Sequence, residues 1–293
     1  MHVLVTGAGG FSGAAVTLGL LAGGHQVTGV VRSGRGRLPE RAGQVGDLTV
    51  ITGDLATDLG LPAKIDAIVH AAGSSPGPGV TAADLFRDNV TATERLVRHA
   101  RAAGVRKFVL FSSLSVYGRI VAPMVDEATP GRDPDTYGRS KREAEERVAV
   151  NENSFCSLAL RLPGIIGRGS VRNWLTNVLA SARAGREIVV VNPETPFNNA
   201  VHVTDLMRLV TRLIEQEWKG SDAVTLGAAG EITAGEAVRL LADTFGGRSR
   251  IRQEVSPNRG FVVSSARARE RYGYEPMEIS AMLRQFAAEN ADR

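Results

Sequence analysis

Two polar side chains in Tyr137-Gly138-Arg139-Ser140-Lys141 stand four residues apart, on one face of a helix starting near Pro134-Asp135. A phenol, with a pKa of about 10, is a poor acid or base at neutral pH, but a neighbouring ammonium group stabilises the phenolate and lowers that value. Tyr137 could then exchange a proton with a hydroxyl or carbonyl group being oxidised or reduced. On these two residues alone a purely structural pair stays open. Upstream, Lys107 to Phe111 reads as a strand and runs into Ser112-Ser113-Leu114-Ser115. That places hydroxyls at the carboxyl end of a parallel strand, where ligands bind in such sheets. Ser113 can bond the reacting oxygen and Ser115 is a candidate substrate contact; a polar turn is the alternative.

A second constellation is Thr6-Gly7-Ala8-Gly9-Gly10-Phe11-Ser12-Gly13, set between the strand Val3-Leu4-Val5 and a helical stretch from Phe11 to Ala22. Gly7, Gly10 and Gly13 allow a tight turn, close ligand approach and close helix-to-strand contact. The helix N-terminus, at Phe11 and Ser12, offers unpaired N–H groups and partial positive charge to a pyrophosphate. An ordinary strand-to-helix loop is the plain alternative. The next strand ends Val30-Val31-Arg32-Ser33, with Arg35 and Arg37 close behind and no acidic residue at its end. A cation there accepts a 2′-phosphate, so NADP(H) is preferred over NAD(H), with Arg32 and Ser33 as contacts. Asp54, followed by Leu55, could accept from the adenine amino group or else cap a helix. A bound nicotinamide dinucleotide turns the Tyr137 proton exchange into half of a hydride transfer.

The elements that must position these groups alternate regularly. Strand-like runs occur at Val3 to Val5, Gln26 to Val31, Leu48 to Thr52, Ala67 to Val69, Lys107 to Phe111 and Phe155 to Leu160. Helical stretches lie near Phe11 to Ala22, Ala82 to Ala103 and Thr136 to Val150. This βαβ alternation predicts an α/β fold with a doubly wound parallel sheet of Rossmann type. After about Pro163 the alternation breaks down. Helices are expected near Asn173 to Ala184, Thr204 to Glu217, Ala234 to Phe245 and Ile279 to Asn290, with a strand at Ile188 to Val191 and a loop at Asn192 to Asn199. The expected division is a dinucleotide-binding domain over 1–163 and a smaller C-terminal α/β substrate lobe over 164–293, some of whose segments return to the first domain.

Together these residues resemble the extended branch of the short-chain dehydrogenase/reductase superfamily, the NAD(P)-dependent epimerase/dehydratase group acting largely on nucleotide sugars. The resemblance spans nearly the whole chain. It rests on the glycine turn, Gly53-Asp54-Leu55, Val69-His70-Ala71-Ala72-Gly73, Asp88-Asn89-Val90, Ser113 four residues before Tyr117, Tyr137 to Lys141, Arg161-Leu162-Pro163-Gly164 and Val201-His202-Val203-Thr204-Asp205. It implies that Ser113, Tyr137 and Lys141 form a catalytic trio, with Lys141 also bonding the nicotinamide ribose. Ala71, Ala72, Gly73 and Asn89 would join the cofactor contacts, and Pro163, Ile165 and Ile166 would pass the nicotinamide. A homodimer through the helices near Ala82 to Ala103 and Thr136 to Val150 is a further implication.

Family dehydratases are similar to one another in carrying acidic residues just after the catalytic hydroxyl residue. Here those positions are Leu114 and Ser115, which leaves simple hydride transfer. Arg32 suggests exchangeable NADPH and hence a keto-sugar reductase. The alternatives are an NAD-retaining epimerase, a reductase of a non-sugar carbonyl compound such as a flavonoid or steroid, and a non-catalytic dinucleotide sensor. For the nucleotide-sugar substrate, Asn198 stands where many family members have a diphosphate-binding arginine. Arg168, Arg172 or Arg186 could supply that cation, and Asn199 could bond a sugar hydroxyl. Ser264-Ser265 and Arg271 to Pro276 are similar to the family's terminal helix and turn.

Composition narrows the remaining classes. The chain has 293 residues, 43% hydrophobic, and charged residues of mixed sign, enough for a substantial core. A net charge of +4 suits an anionic cofactor but lacks the concentrated basic stripe of a nucleic-acid binder. One cysteine, Cys156, allows no internal disulfide and reads as a small apolar residue. No leader peptide and no apolar run of roughly 20 residues are seen, so no membrane partner and a cytoplasmic location are expected. No metal site is expected.

Overall fold

A computed structural model describes residues 1–39, 47–151, 153–257 and 260–291. The first elements follow the sequence pattern closely: β1 (His2–Thr6), α1 (Phe11–Ala22), β2 (Gln26–Val31), β3 (Leu48–Thr52) and β4 (Ala67–His70). Their continuous β-branched runs suit strands covered on both faces. The stretch expected as one helix is divided into α2 (Ala82–Phe86), a π turn at Arg87–Thr91 and α3 (Ala92–Ala103). Thr81 caps α2 through a reciprocal box with Asp84, and Gly104, at φ +67°, ends α3. The wider π turn brings Asp88, Asn89 and Val90, three consecutive residues, all into buried positions.

Next come β5 (Lys107–Ser113), a single 3₁₀ turn at Leu114–Tyr117, β6 (Met124–Val125), α4 (Thr136–Ala149) and β7 (Cys156–Leu162). The Asp135 carboxylate accepts from Gly138 N–H at 2.7 Å and starts α4. The remainder is β8 (Gly164–Ile166), α5 (Trp174–Arg183), β9 (Ile188–Val191), β10 (Pro196–Phe197), β11 (Ala200–His202), α6 (Val203–Glu215), β12 (Ser221–Thr225), β13 (Ile232–Thr233), α7 (Ala234–Asp243), β14 (Ile251–Glu254), β15 (Val262–Val263), α8 (Ala266–Tyr272) and α9 (Ile279–Glu289).

The chain divides into two units. The first takes Met1–Arg119, Pro130–Arg161 and Leu206–Val224, and the second takes Ile120–Thr129, Leu162–Asp205 and Thr225–Arg293. The main sheet has seven strands in the order β12-β7-β5-β4-β1-β2-β3. The ladders β2–β3, β1–β2, β1–β4 and β4–β5 are parallel. Strand order reverses between β1 and β4, the place where doubly wound sheets leave a crevice at their carboxyl ends. The sequence reading did not include β12, whose polar start Ser221-Asp222 hides a strand. In this unit Leu4, Ile68, Leu96, Phe108, Leu110, Ala144 and Val148 pack in one buried cluster. The second unit has its own core of Ile166, Leu175, Val238, Leu241, Met282, Leu283 and Phe286. Around it lie short pairs: β8 with β11, β9 with β14 and β6 with β15 in parallel, and β10 with β13 antiparallel.

Candidate active site

A cleft of about 340 Å³ lies at the carboxyl ends of β1 to β4, lined by Gly7, Gly9, Gly10, Arg32, Ser33, Gly36, Gly53, Leu55, Ala71, Ala72, Gly73, Asp88 and Ala92, with Val30 and Val31. Gly7 sits at φ +66°, and a Cβ there would lie 2.7 Å from Ala72 N. A Cβ on Gly13 would come 2.1 Å from the Gly7 carbonyl oxygen. Both positions therefore require glycine. Helix α1 begins at an extended Gly10 with no side-chain cap, which leaves the N–H groups of Phe11, Ser12 and Gly13 for an anion. These features fit a dinucleotide pyrophosphate.

Of the three arginines after β2, only Arg32 lines the cleft. Arg35 donates to the Pro39 carbonyl at 3.1 Å, and Arg37 lies over the Phe11 ring at 4.8 Å. Arg32 itself is ion-paired: its Nη2 lies 2.8 Å from Asp88 Oδ2. Asp54 Oδ1 accepts from Ala56 N–H at 2.9 Å, so it holds a turn rather than a helix cap, and Oδ2 pairs with Arg87. The Ala56 N–H bond first, and then Arg87, hold its carboxyl below the usual range despite some desolvation.

Behind Ala71 to Gly73 runs a buried polar chain. Thr93 Oγ1 donates to the Asn89 carbonyl at 2.5 Å and lies 3.0 Å from His70 Nε2; His70 Nδ1 lies 2.6 Å from Thr6 Oγ1. The Thr93 proton is taken, so His70 Nε2–H donates to Thr93, and Nδ1 accepts from Thr6. Thr6 Oγ1 in turn accepts from Ala72 N–H at 3.2 Å. His70 is therefore neutral, in keeping with a pKa pushed down to about 3 by burial, with the Lys141 charge adding to it. Asn89, expected as a cofactor contact, has its side chain occupied within the protein. Its Oδ1 accepts from Ser74 N–H, and its Nδ2 donates to the Ser74 carbonyl and Ser140 Oγ. It ties the cleft wall to α4.

Ser113, Tyr137 and Lys141 come from the end of β5 and the first turns of α4. Ser113 accepts from Ser115 N–H at 3.1 Å, and its hydroxyl donates to Ser115 Oγ at 3.2 Å. Here the expectation of a lowered phenol pKa is corrected. Burial pushes Tyr137 up, the Ser113 bond opposes this and Asp135 adds to it. Lys141 is itself destabilised as a cation: desolvation takes it to about 8, against the pull of Glu145 one turn on. Lys141 as a residue is 6% exposed, and its ammonium has no hydrogen-bond acceptor among the described residues. It lies beside the cleft wall, 3.7 Å from where a Cβ on Gly73 would stand. An ammonium with no acceptor in the protein fits a ribose hydroxyl at that place. Glu145 is held by Arg161 through three contacts of 2.8 to 3.2 Å and by Ser112, and Arg161 also donates to the Tyr117 hydroxyl at 2.8 Å.

In the second unit, Asn198 has its amide engaged within the protein. It is 6% exposed; Oδ1 accepts from Val263 N–H at 2.7 Å, and Nδ2 donates to the Val263 and Ala228 carbonyls. The arginine position of the family pattern is thus filled by a residue that ties three chain segments together. Asn199 Oδ1 is buried without a partner among the described residues. The Ile166 side chain is fully buried in the core of the second unit, whereas Pro163 and Ile165 are half-buried. Arg168 and Arg186 are exposed. Sequence reasoning assigned no part to His70, Asp88 or Glu145. The first two lay inside quoted motifs, and the signal for Glu145 was its i+4 spacing from Lys141.

The family model for the NAD dependent epimerase/dehydratase family matches residues 3–227. The chain is 35% identical over 195 residues to a 2-alkyl-3-oxoalkanoate reductase from Stenotrophomonas maltophilia, covering 64% of this chain and 57% of that relative. It is 27% identical over 296 residues to a UDP-glucose 4-epimerase from Erwinia amylovora, covering 88% and 87%. The structure of MoeE5 in complex with UDP-glucuronic acid and NAD superposes with a TM-score of 0.82 at 25% identity, over 100% of this chain and 98% of that one.

Proposed function

This chain belongs to the NAD dependent epimerase/dehydratase family, and on that premise we propose that it transfers hydride at an oxygen-bearing carbon of a nucleotide-activated sugar, as a keto-sugar reductase. A bound nicotinamide dinucleotide supplies the hydride. Phe11, Ser12 and Gly13 N–H groups hold its pyrophosphate, and Lys141 holds its ribose. Ser113 orients the substrate carbonyl, and Tyr137 gives its proton to that oxygen. The observation that carries this reading is the Lys141 ammonium, which has no hydrogen-bond acceptor among the described residues and stands 3.7 Å from where a Cβ on Gly73 would lie in the wall of the dinucleotide cleft. At neutral pH Tyr137 is the phenol, the form that protonates a carbonyl.

A non-sugar 3-oxo compound is the second reading, favoured by the internal bonding of Asn198 and by the oxoalkanoate reductase among the relatives. The two are separated by following reduced-nicotinamide absorbance with a panel of nucleotide-linked keto-sugars and of 2-alkyl-3-oxo acids. Turnover of the sugars alone supports the first reading, and turnover of the oxo acids alone replaces it. NAD retained through purification, with interconversion of sugar epimers, would replace reduction by epimerisation. Tyr137→Phe is expected to lower kcat by about 10²–10⁴-fold while leaving dinucleotide affinity unchanged; full turnover in that variant would remove Tyr137 from the mechanism.

A further inference from the structure

The sequence pattern at the end of β2, an arginine with no carboxylate, favours the 2′-phosphorylated cofactor. The fold supplies the missing carboxylate from elsewhere. Asp88, on the π turn 56 residues further along the chain, lines the same cleft as Arg32 and Ser33, with its Oδ2 2.8 Å from Arg32 Nη2. Its side chain is 4% exposed and that of Arg32 60%. Ser74 Oγ donates to Oδ2 at 2.5 Å, and Arg87 Nη1 lies 2.9 Å from Oδ1 while also pairing with Asp54. The cleft end therefore carries an alternating chain Arg32–Asp88–Arg87–Asp54, two cations against two carboxylates.

We infer that Asp88 is a specificity-determining residue that cancels the positive charge of Arg32, so that the cleft takes a dinucleotide with a free ribose 2′-hydroxyl at least as readily as one with a 2′-phosphate. The inference rests on the dinucleotide reading of the cleft. A 2′-phosphate bonded to Arg32 must share the guanidinium with a fixed carboxylate oxygen already 2.8 Å from it, and like charges that close oppose each other. A neutral 2′-hydroxyl meets no such opposition. Arg32 is the exposed, movable partner, while Asp88 is held by Ser74 and Arg87 and stays in the cleft.

The test is calorimetric titration of the ligand-free protein with NAD and NADP, a binding measurement independent of turnover. Wild-type protein is expected to bind NAD as tightly as NADP or more so, and Asp88→Asn to raise the NADP-to-NAD affinity ratio at least tenfold. Asp88→Ser keeps a hydroxyl for Arg32 and serves where the Asn variant fails to fold, with the same expected rise. In Asp88→Asn combined with Arg32→Gln the rise should vanish, because there is no cation left to release. The inference is overturned if wild-type protein already prefers NADP tenfold, or if both Asp88 variants keep the wild-type ratio within twofold. Absence of binding by either dinucleotide to the wild type would instead overturn the dinucleotide reading itself.

Discussion

The pairs Arg161–Glu145 and Arg32–Asp88 have the same 2.8 Å separation but different surroundings. In the first, both side chains are largely covered, at 18% and 10% exposure; in the second, the carboxylate is covered at 4% and the guanidinium stands 60% in water. A pair covered on both sides cannot exchange partners without leaving a desolvated charge behind. A pair with one exposed member can, because water solvates the released cation. The first therefore serves as a fixed support beneath Lys141, and the second as a contact that an incoming ligand can alter.

The strongest way to break this contrast is to remove one member of the covered pair. Arg161→Met should cost about 3–5 kcal/mol of unfolding free energy in urea titrations, since Glu145 keeps only Ser112 and the more distant Lys141. Replacing both members with apolar residues should cost markedly less. If the single change costs no more than an exposed pair does, the contrast fails.

Next in size, and opposite in sign, is Lys141→Met. The folded pKa of about 8 lies below the ordinary 10.5, so between these values the unfolded chain binds more protons than the folded one. Ligand-free protein should therefore gain stability as pH rises from 8 towards 10.5 and owe nothing further to this group below 8. Removing the cation should raise stability at neutral pH by up to about 3 kcal/mol, flatten that alkaline rise, and abolish turnover. A melting temperature that falls in Lys141→Met would show the ammonium to be better satisfied than its surroundings indicate. Smallest is Arg32→Gln, which should change stability by less than about 1 kcal/mol, because Asp88 retains Ser74 and Arg87. A larger loss would place Arg32 with the structural pairs.

Much of this was readable from residue order. Strands β2 and β3 and helix α1 were located from apolar runs and breakers, and Gly7, Gly10 and Gly13 marked the turn, because these signals are local. What escaped was decided over long separations. Nothing near Asn198 shows that Val263 and Ala228 hold its amide, so a motif position suggested a ligand contact. Asp88 looked like one member of a helical tripeptide until the π turn brought it opposite Arg32. The direction of the Tyr137 shift was misread because spacing shows that Lys141 is near, but not how far the phenol is withdrawn from water.

The place of β12 beside β7 has a consequence for synthesis. The edge of β7 is covered by Ser221–Thr225, with Ser157 N–H donating to the Gly220 carbonyl. While the chain is being made, β7 emerges long before its neighbour and presents a row of unpaired N–H and C=O groups, the kind of edge that recruits other chains. A fragment cut after residue 163 would carry the glycine turn, the tyrosine and the lysine, yet would keep that edge open permanently. Aggregation of such a fragment would therefore say nothing against the site it contains.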